Sequence, residues 1–187
     1  MAGLLKARHF VETRRLVKDG DKILIGVSGG PDSVFLLHFF HYLKNFFNIS
    51  LVVAYIHHHL RKEADEEIGF VKELSRRYRV PFYFRDIKIE GQTGIEEKAR
   101  KERYGALHSI ARKVNCNKIA VGHTLDDQVE TVVIHFIKGT GLAGLCGISP
   151  EKKLFPRSEV TVIRPLLCLE KEEIIEFLQR KGIPYRI

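Results

Sequence analysis

Ile23-Leu24-Ile25-Gly26-Val27 runs directly into Ser28-Gly29-Gly30-Pro31-Asp32-Ser33, and an apolar helical stretch over residues 34–43 follows at once. The reading strand, glycine turn, helix decides the fold, because each residue type in the turn has a mechanical reason. Gly29 and Gly30 let the backbone bend tightly and bring N–H groups close to a ligand. Pro31 suits the first helical turn, where its missing N–H costs nothing. Ser28 and Ser33 add hydroxyl donors, and the helix N-terminus adds partial positive charge. Together they predict an anion cradle matched to phosphate or pyrophosphate. The loop has no GK[ST] and is too short for a Walker A loop; nor is it GxGxxG. Asp32 opposes anion binding unless Mg²⁺ lies between them. The plainer structural reading makes it a glycine-rich βα turn with Asp32 as a first-turn partner of the helix dipole.

Outward from this turn, apolar runs alternate with helical patterns. Residues 23–27, 51–56, 81–89, 118–121 and 160–163 read as strands, several with the continuous apolar character of strands buried on both faces. Between them, Val129, Val132, Val133, Phe136 and Ile137 give the clearest amphipathic stripe. Ala106, Leu107, Ile110, Ala111 and Val114 give a second, and Ile68, Val71, Leu74 and Tyr78 a third. Ile174, Ile175 and Leu178 mark a last helix over 170–181, stopped by Gly182. The alternation predicts an α/β fold with a doubly wound parallel sheet of about five strands and right-handed crossovers. With no repeat or linker, the expectation is a single domain over 1–187, an N-terminal helix in 1–20 and an α/β core in 21–187. Ligands in such sheets bind beyond the carboxyl ends of the strands, where the motifs of this chain fall.

Composition narrows the class. At 187 residues, with 44% hydrophobic and 29% charged, the chain is of the globular rather than the disordered kind. No apolar run approaches the ~18–20 residues of a membrane span, and the N-terminus has no signal-peptide core. Cys116, Cys146 and Cys168 are far apart with no CxxC pair, which excludes a zinc ribbon and suits a reducing, cytoplasmic setting. The net charge of +8 fits a polyanionic partner, or merely a basic surface.

Further motifs follow the later strands. In His57-His58-His59-Leu60-Arg61, adjacent side chains diverge on an extended segment, so the three histidines do not make a ready metal site. Glu96, Arg100, Arg103 and Tyr104 fall on one helical face, either a solvated stripe or a phosphate clamp. In Gly122-His123-Thr124-Leu125-Asp126-Asp127-Gln128-Val129-Glu130-Thr131, Thr124 or Asp126 caps a helix, while Asp127 and Glu130 share its first turn as hard oxygen donors for Mg²⁺. His123 reads as a structural histidine as readily as an acid or base. A glycine-dense loop, residues 138–145, and Arg164-Pro165-Leu166 complete the set.

The residues 28–33 resemble the SGGxDS loop of the N-type ATP pyrophosphatases, the PP-loop (adenine nucleotide alpha hydrolase-like) family. Within it the chain resembles the tRNA(Ile)-lysidine synthetases: His58, Leu60 and Arg61 match V-D-H-G-L-R, and Ala99, Arg100, Arg103 and Tyr104 match E-x-x-A-R-x-x-R-Y. Residues 122–131 match A-H-H-x-D-D-Q-x-E-T, with Gly122 for Ala and Thr124 for the second His. Residues 138–145 match R-G-T/S-G-x-x-G-L with Lys138 for Arg, and 164–166 match R-P-L. The resemblance implies ATP and Mg²⁺ as cofactors, and tRNA(Ile) with a wobble cytidine and free L-lysine as partners. A homodimer is left open. It also implies ligation of lysine to C2 of the cytidine through an adenylated base, releasing AMP and pyrophosphate. Ser28, Gly29, Gly30, Pro31, Asp32, Ser33 and His58 would bind the nucleotide. Asp32, Arg100, Arg103 and Asp127 would be catalytic, and Asp32, Asp127 and Glu130 would hold Mg²⁺. The resemblance ends near Tyr185, before the family's Asp-x-Ser/Thr-Asn stretch and helical tRNA-binding domains, so a catalytic domain without them is expected. The alternatives are a tRNA 2-thiolation enzyme of the same superfamily and a non-catalytic ATP-binding module.

Overall fold

The computed structural model describes residues 2–57, 64–87, 94–139, 146–156 and 158–186. Ala2–Thr13 forms α1, Lys22–Gly26 β1, Pro31–Leu43 α2, Ser50–His57 β2, Ala64–Arg77 α3 and Phe82–Asp86 β3. Then come α4 (Ile95–Lys113), β4 (Lys118–Ala120), α5 (Leu125–Ile137), β5 (Glu151–Lys153), β6 (Thr161–Ile163) and α6 (Lys171–Arg180).

The strands lie in the order β3-β2-β1-β4-β6-β5. The first five pair in parallel, and β5 joins β6 antiparallel at the edge. The five parallel strands are those the apolar runs predict. The sixth escapes that reading because Glu151, Lys152 and Lys153 are all charged and exposed. Charged residues suit an edge strand, whose open side must not recruit another chain. Glu151 also lies 3.4 Å from the ammonium of the buried Lys118 on β4.

The two-residue side-chain period of the strands feeds two cores. Ile23, Ile25, Val53 and Tyr55 face a core shared with α1, α2, α3 and α6. Leu24, Val52, Ala54, Ile56, Ile119 and Val162 face a second core with Leu107, Ile110 and Ala111 of α4. Helix α2 is apolar nearly all round and is buried accordingly, with Phe35, Phe39 and Phe40 fully enclosed. Gly182, at φ +61°, ends α6 as its position predicts.

Helix α5 forms where the stripe predicts, but the stripe is not buried against the sheet. Val129, Val133, Phe136 and Ile137 are all exposed, Phe136 by 73%. Periodicity sets the helix; whether a neighbour covers its apolar face is a property of the tertiary fold, and among the described residues none encloses it. No helix among the described residues is long and apolar enough to cross a membrane.

Candidate functional site

The chain runs β1 to β2 to β3 on one side of the sheet and then crosses to β4 on the other side of β1. Loops leaving β1 and β4 therefore diverge, and the crevice between them is the topological switch point at which ligands of such folds bind. A cavity of about 240 Å³ lies there. It is lined by Ser28, Gly30, Pro31, Asp32 and Ser33 from the first turn, by Ala54 and Ile56 of β2, by Arg103, Tyr104 and Leu107 of α4, and by Gly122 and His123 after β4.

The turn is organised around one hydroxyl. Ser33 Oγ accepts the N–H groups of Ser28 and Gly29, each at 3.1 Å, and donates to the Gly30 carbonyl at 2.9 Å. Gly30 stands as N-cap of α2 without any side-chain cap, so the N-terminal amides of the helix remain for a ligand. Gly122 packs closely: a Cβ on it would come within 3.2 Å of the Asp32 carbonyl group, a tight contact that the glycine avoids. Asp32 Oδ1 is buried with no hydrogen-bond partner among the described residues. Burial lifts its carboxyl pKa to about 6; Asp127 and Asp126 add to the rise, and Lys171 opposes it. A buried, unpartnered carboxylate oxygen beside an anion cradle fits a cation that arrives with phosphate.

Asp127 has structural duties. Its Oδ2 accepts the Thr124 backbone N–H at 2.8 Å and the Thr124 hydroxyl at 3.1 Å, closing the first turn of α5. Its Oδ1 lies 3.2 Å from Lys171 Nζ. Burial alone would raise its pKa, but the Thr124 and Lys171 hydrogen bonds outweigh burial and hold it below the usual carboxylate range. Asp126 caps a different helix, accepting the Lys171 N–H of α6 at 2.8 Å. Glu130 is exposed on α5, one turn on. Among the described residues no three His, Cys, Asp or Glu side chains converge as a metal cluster.

The α4 residues divide. Arg103 and Tyr104 line the cavity, whereas Arg100 stands outside it, its guanidinium 6.0 Å from the Tyr104 ring. The Tyr104 hydroxyl is buried without a partner among the described residues. His58, Leu60, Arg61 and residues 140–145 lie outside the described residues, as does the Glu96 side chain.

Sequence alone leaves His123 open between a structural and an acid–base role, and offers Arg164 only as part of a motif. His123 lines the cavity with a buried, unpartnered Nδ1. Burial, then the charge of Arg164, lower its pKa to about 4, with Asp127 opposing, so a neutral imidazole faces the cavity at pH 7. Arg164 is buried, its Nη1 donating to the Ser149 carbonyl at 2.7 Å. The only advance signal for either was the motif containing it. Cys116 packs in the α4 core and Cys168 against the opposite core, so the sheet separates them.

A parallel sheet with an uncapped glycine turn at its switch point, an unpartnered carboxylate oxygen and an arginine at the rim define a nucleotide-binding α/β domain of the kind that grips a phosphate chain. Residues 5–187 match the PP-loop domain model, and the chain belongs to that family. It is 36% identical to tRNA(Ile)-lysidine synthase of Thermosipho africanus over 94% of this chain and 40% of that protein. It is 39% identical to the protein of the same name from Clostridioides difficile over 97% of this chain and 39% of that protein. The chain thus spans about two-fifths of the length of these curated relatives. In fold it is similar to the U34-tRNA thiolase NcsA of Methanococcus maripaludis, with TM-score 0.79 at 17% identity over 97% of this chain and 64% of that one.

Proposed function

We propose that this chain is the ATP-cleaving catalytic domain of a lysidine-forming tRNA ligase. The observation that carries the reading is the single cavity that joins the glycine turn, Asp32, Arg103 and an apolar wall of Ala54, Ile56 and Leu107. The turn is suited to the β- and γ-phosphates, and the apolar wall would take the adenine. Asp32 would hold Mg²⁺ together with the phosphates, since Mg²⁺ is commonly bound by one or two carboxylates plus substrate phosphate. When bound, the metal neutralises charge on the leaving pyrophosphate.

The cytidine O2 attacks the α-phosphorus, the α–β P–O bond breaks, and pyrophosphate leaves with both electrons of that bond. The lysine amine then attacks C2, and AMP departs with the former O2. Arg103, which lines the cavity, and Arg100, on the same helix outside it, would offset negative charge as the P–O bond opens. His123, neutral and with its Nδ1 unpartnered among the described residues, would share a hydrogen bond with substrate. Asp127, whose Oδ1 already takes an alkylammonium from Lys171, and the exposed Glu130 would receive the amine of the incoming lysine or share the metal. The dominant requirement is positioning and charge stabilisation rather than covalent catalysis.

Incubation with α-labelled ATP, tRNA(Ile) transcript and lysine tests the reading. Lysine-dependent AMP release is expected. Dependence on a sulfur donor instead would indicate a thiolation enzyme, and no AMP under any condition a binding module.

A further inference from the structure

Ser33 anchors most of the glycine turn but not all of it. Its hydroxyl holds the N–H groups of Ser28 and Gly29 and the carbonyl of Gly30. The peptide unit between Gly29 and Gly30 gets nothing from Ser33. Gly29 sits at φ +93°, in the region open mainly to glycine, and a glycine follows it, so this unit is the part of the turn freest to flip.

Its anchor comes from the other end of the sequence. The backbone N–H of Arg186 donates to the Gly29 carbonyl at 2.9 Å. The Arg186 guanidinium lies 5.3 Å from the centroid of Phe70 on α3. The Phe70 ring lies 3.5 Å from where a Cβ on Gly29 would stand, so turn, ring and Arg186 form one contact. Pro184, Tyr185 and Arg186 border a second cavity with Phe70, separate from the one at the switch point.

In a trans peptide the C=O and N–H point in opposite directions, and the described chain has no cis bond. Drawing the Gly29 carbonyl towards Arg186 therefore turns the Gly30 N–H the other way. Gly30 lines the switch-point cavity, Arg186 does not, and the Gly30 N–H donates to no acceptor among the described residues. With the unit flipped, a carbonyl oxygen would face the anion in place of a donor.

We propose that Arg186 is a positioning residue for the anion site, acting through its backbone N–H to hold the Gly29–Gly30 peptide with the Gly30 amide facing the leaving pyrophosphate. This rests on the reading of the turn as the pyrophosphate site. The side chain steadies the segment on Phe70, but the donor that matters is on the main chain.

The distinction sets the test. Arg186→Pro removes the donor, whereas Arg186→Ala keeps it and removes only the guanidinium. Arg186 is exposed, so both variants are expected to fold, with far-UV circular dichroism as the check. Titration with inorganic pyrophosphate and Mg²⁺ should show affinity about 10-fold weaker for the proline variant, the loss of one hydrogen bond to a charged group, and within about 2-fold of wild type for the alanine variant. In ligand-free protein, the Gly30 amide resonance should move in the proline variant and stay in the alanine variant. Equal affinities in the two variants, or an unmoved Gly30 resonance in the proline variant, overturn the proposal. Failure of wild type to bind pyrophosphate overturns instead the reading of the turn. The Gly30 resonance then decides alone whether Arg186 sets the peptide.

Discussion

Helices α2 and α5 leave neighbouring strands at the centre of the sheet, and each has an acidic side chain in its first turn, yet those turns are satisfied in opposite ways. At α5, Thr124 and Asp127 close on each other and Lys171 takes the remaining carboxylate oxygen. At α2, Gly30 offers no cap and Asp32 Oδ1 has no partner among the described residues. Their bodies invert the contrast: α2 is enclosed by core, while α5 carries its apolar stripe exposed. A buried helix with an uncapped N-terminus is suited to an anion. Helix α5, self-capped, presents an open apolar flank instead.

The two helix starts should differ most at their acidic side chains. Asp32→Ala should reduce AMP release about a thousandfold, as expected for loss of a group stabilising transition-state charge, with the circular dichroism spectrum unchanged. Near-normal turnover would put the site elsewhere. Next in size is the contrast between the helix bodies. Phe39→Ala should cost about 3–4 kcal/mol in urea unfolding, whereas Phe136→Ala should change stability by no more than about 0.5 kcal/mol. A large loss at Phe136 would mean that the α5 stripe is covered after all.

Titration sharpens the picture further. Asp32 is held near 6, above its ordinary 3.8, so the folded state keeps its proton longer than the unfolded one. Its contribution therefore falls as pH rises from about 4 to 6. His123, lowered to about 4, acts in the opposite sense, its stabilising contribution being lost as pH falls from about 6.5 to 4. The two offset each other in wild type. Asp32→Asn should gain about 2 kcal/mol relative to wild type on going from pH 4 to pH 7. His123→Gln should lose its disadvantage over the same interval as pH falls. Parallel pH profiles for all three proteins would contradict both assignments. Smallest is Asp127→Asn, which weakens a cap and an ion pair at once. It should cost about 1 kcal/mol, read in thermal unfolding, and the loss should shrink when Lys171→Met is combined with it.

Much of the fold was legible because its determinants are local. Apolar runs, several of them continuous, marked all five parallel strands, and the glycine-rich turn marked one of the two junctions that flank the switch point. The edge strand Glu151–Lys153 was not legible, since three charged residues carry no burial signal and their pairing is set by β6 and Lys118. In α5 the period was visible but not the fate of the face, which depends on what packs there. Of the residues the motifs point to, Ser28, Gly30, Pro31, Asp32, Ser33 and Arg103 line one cavity, while Arg100 stands outside it. The neutrality of His123 was hidden, because it arises from burial and from Arg164, forty-one positions further along the chain. Arg186 was hidden for the same reason: a main-chain donor has no residue-type signature, and its acceptor lies near the opposite end of the sequence.

A crystal structure with a non-hydrolysable ATP analogue and Mg²⁺ tests the central claim most directly. The β- and γ-phosphates are expected against the backbone amides of residues 28–33, the metal on Asp32, and Arg103 turned towards the phosphates. Nucleotide bound in another cavity, with that turn empty, would contradict it.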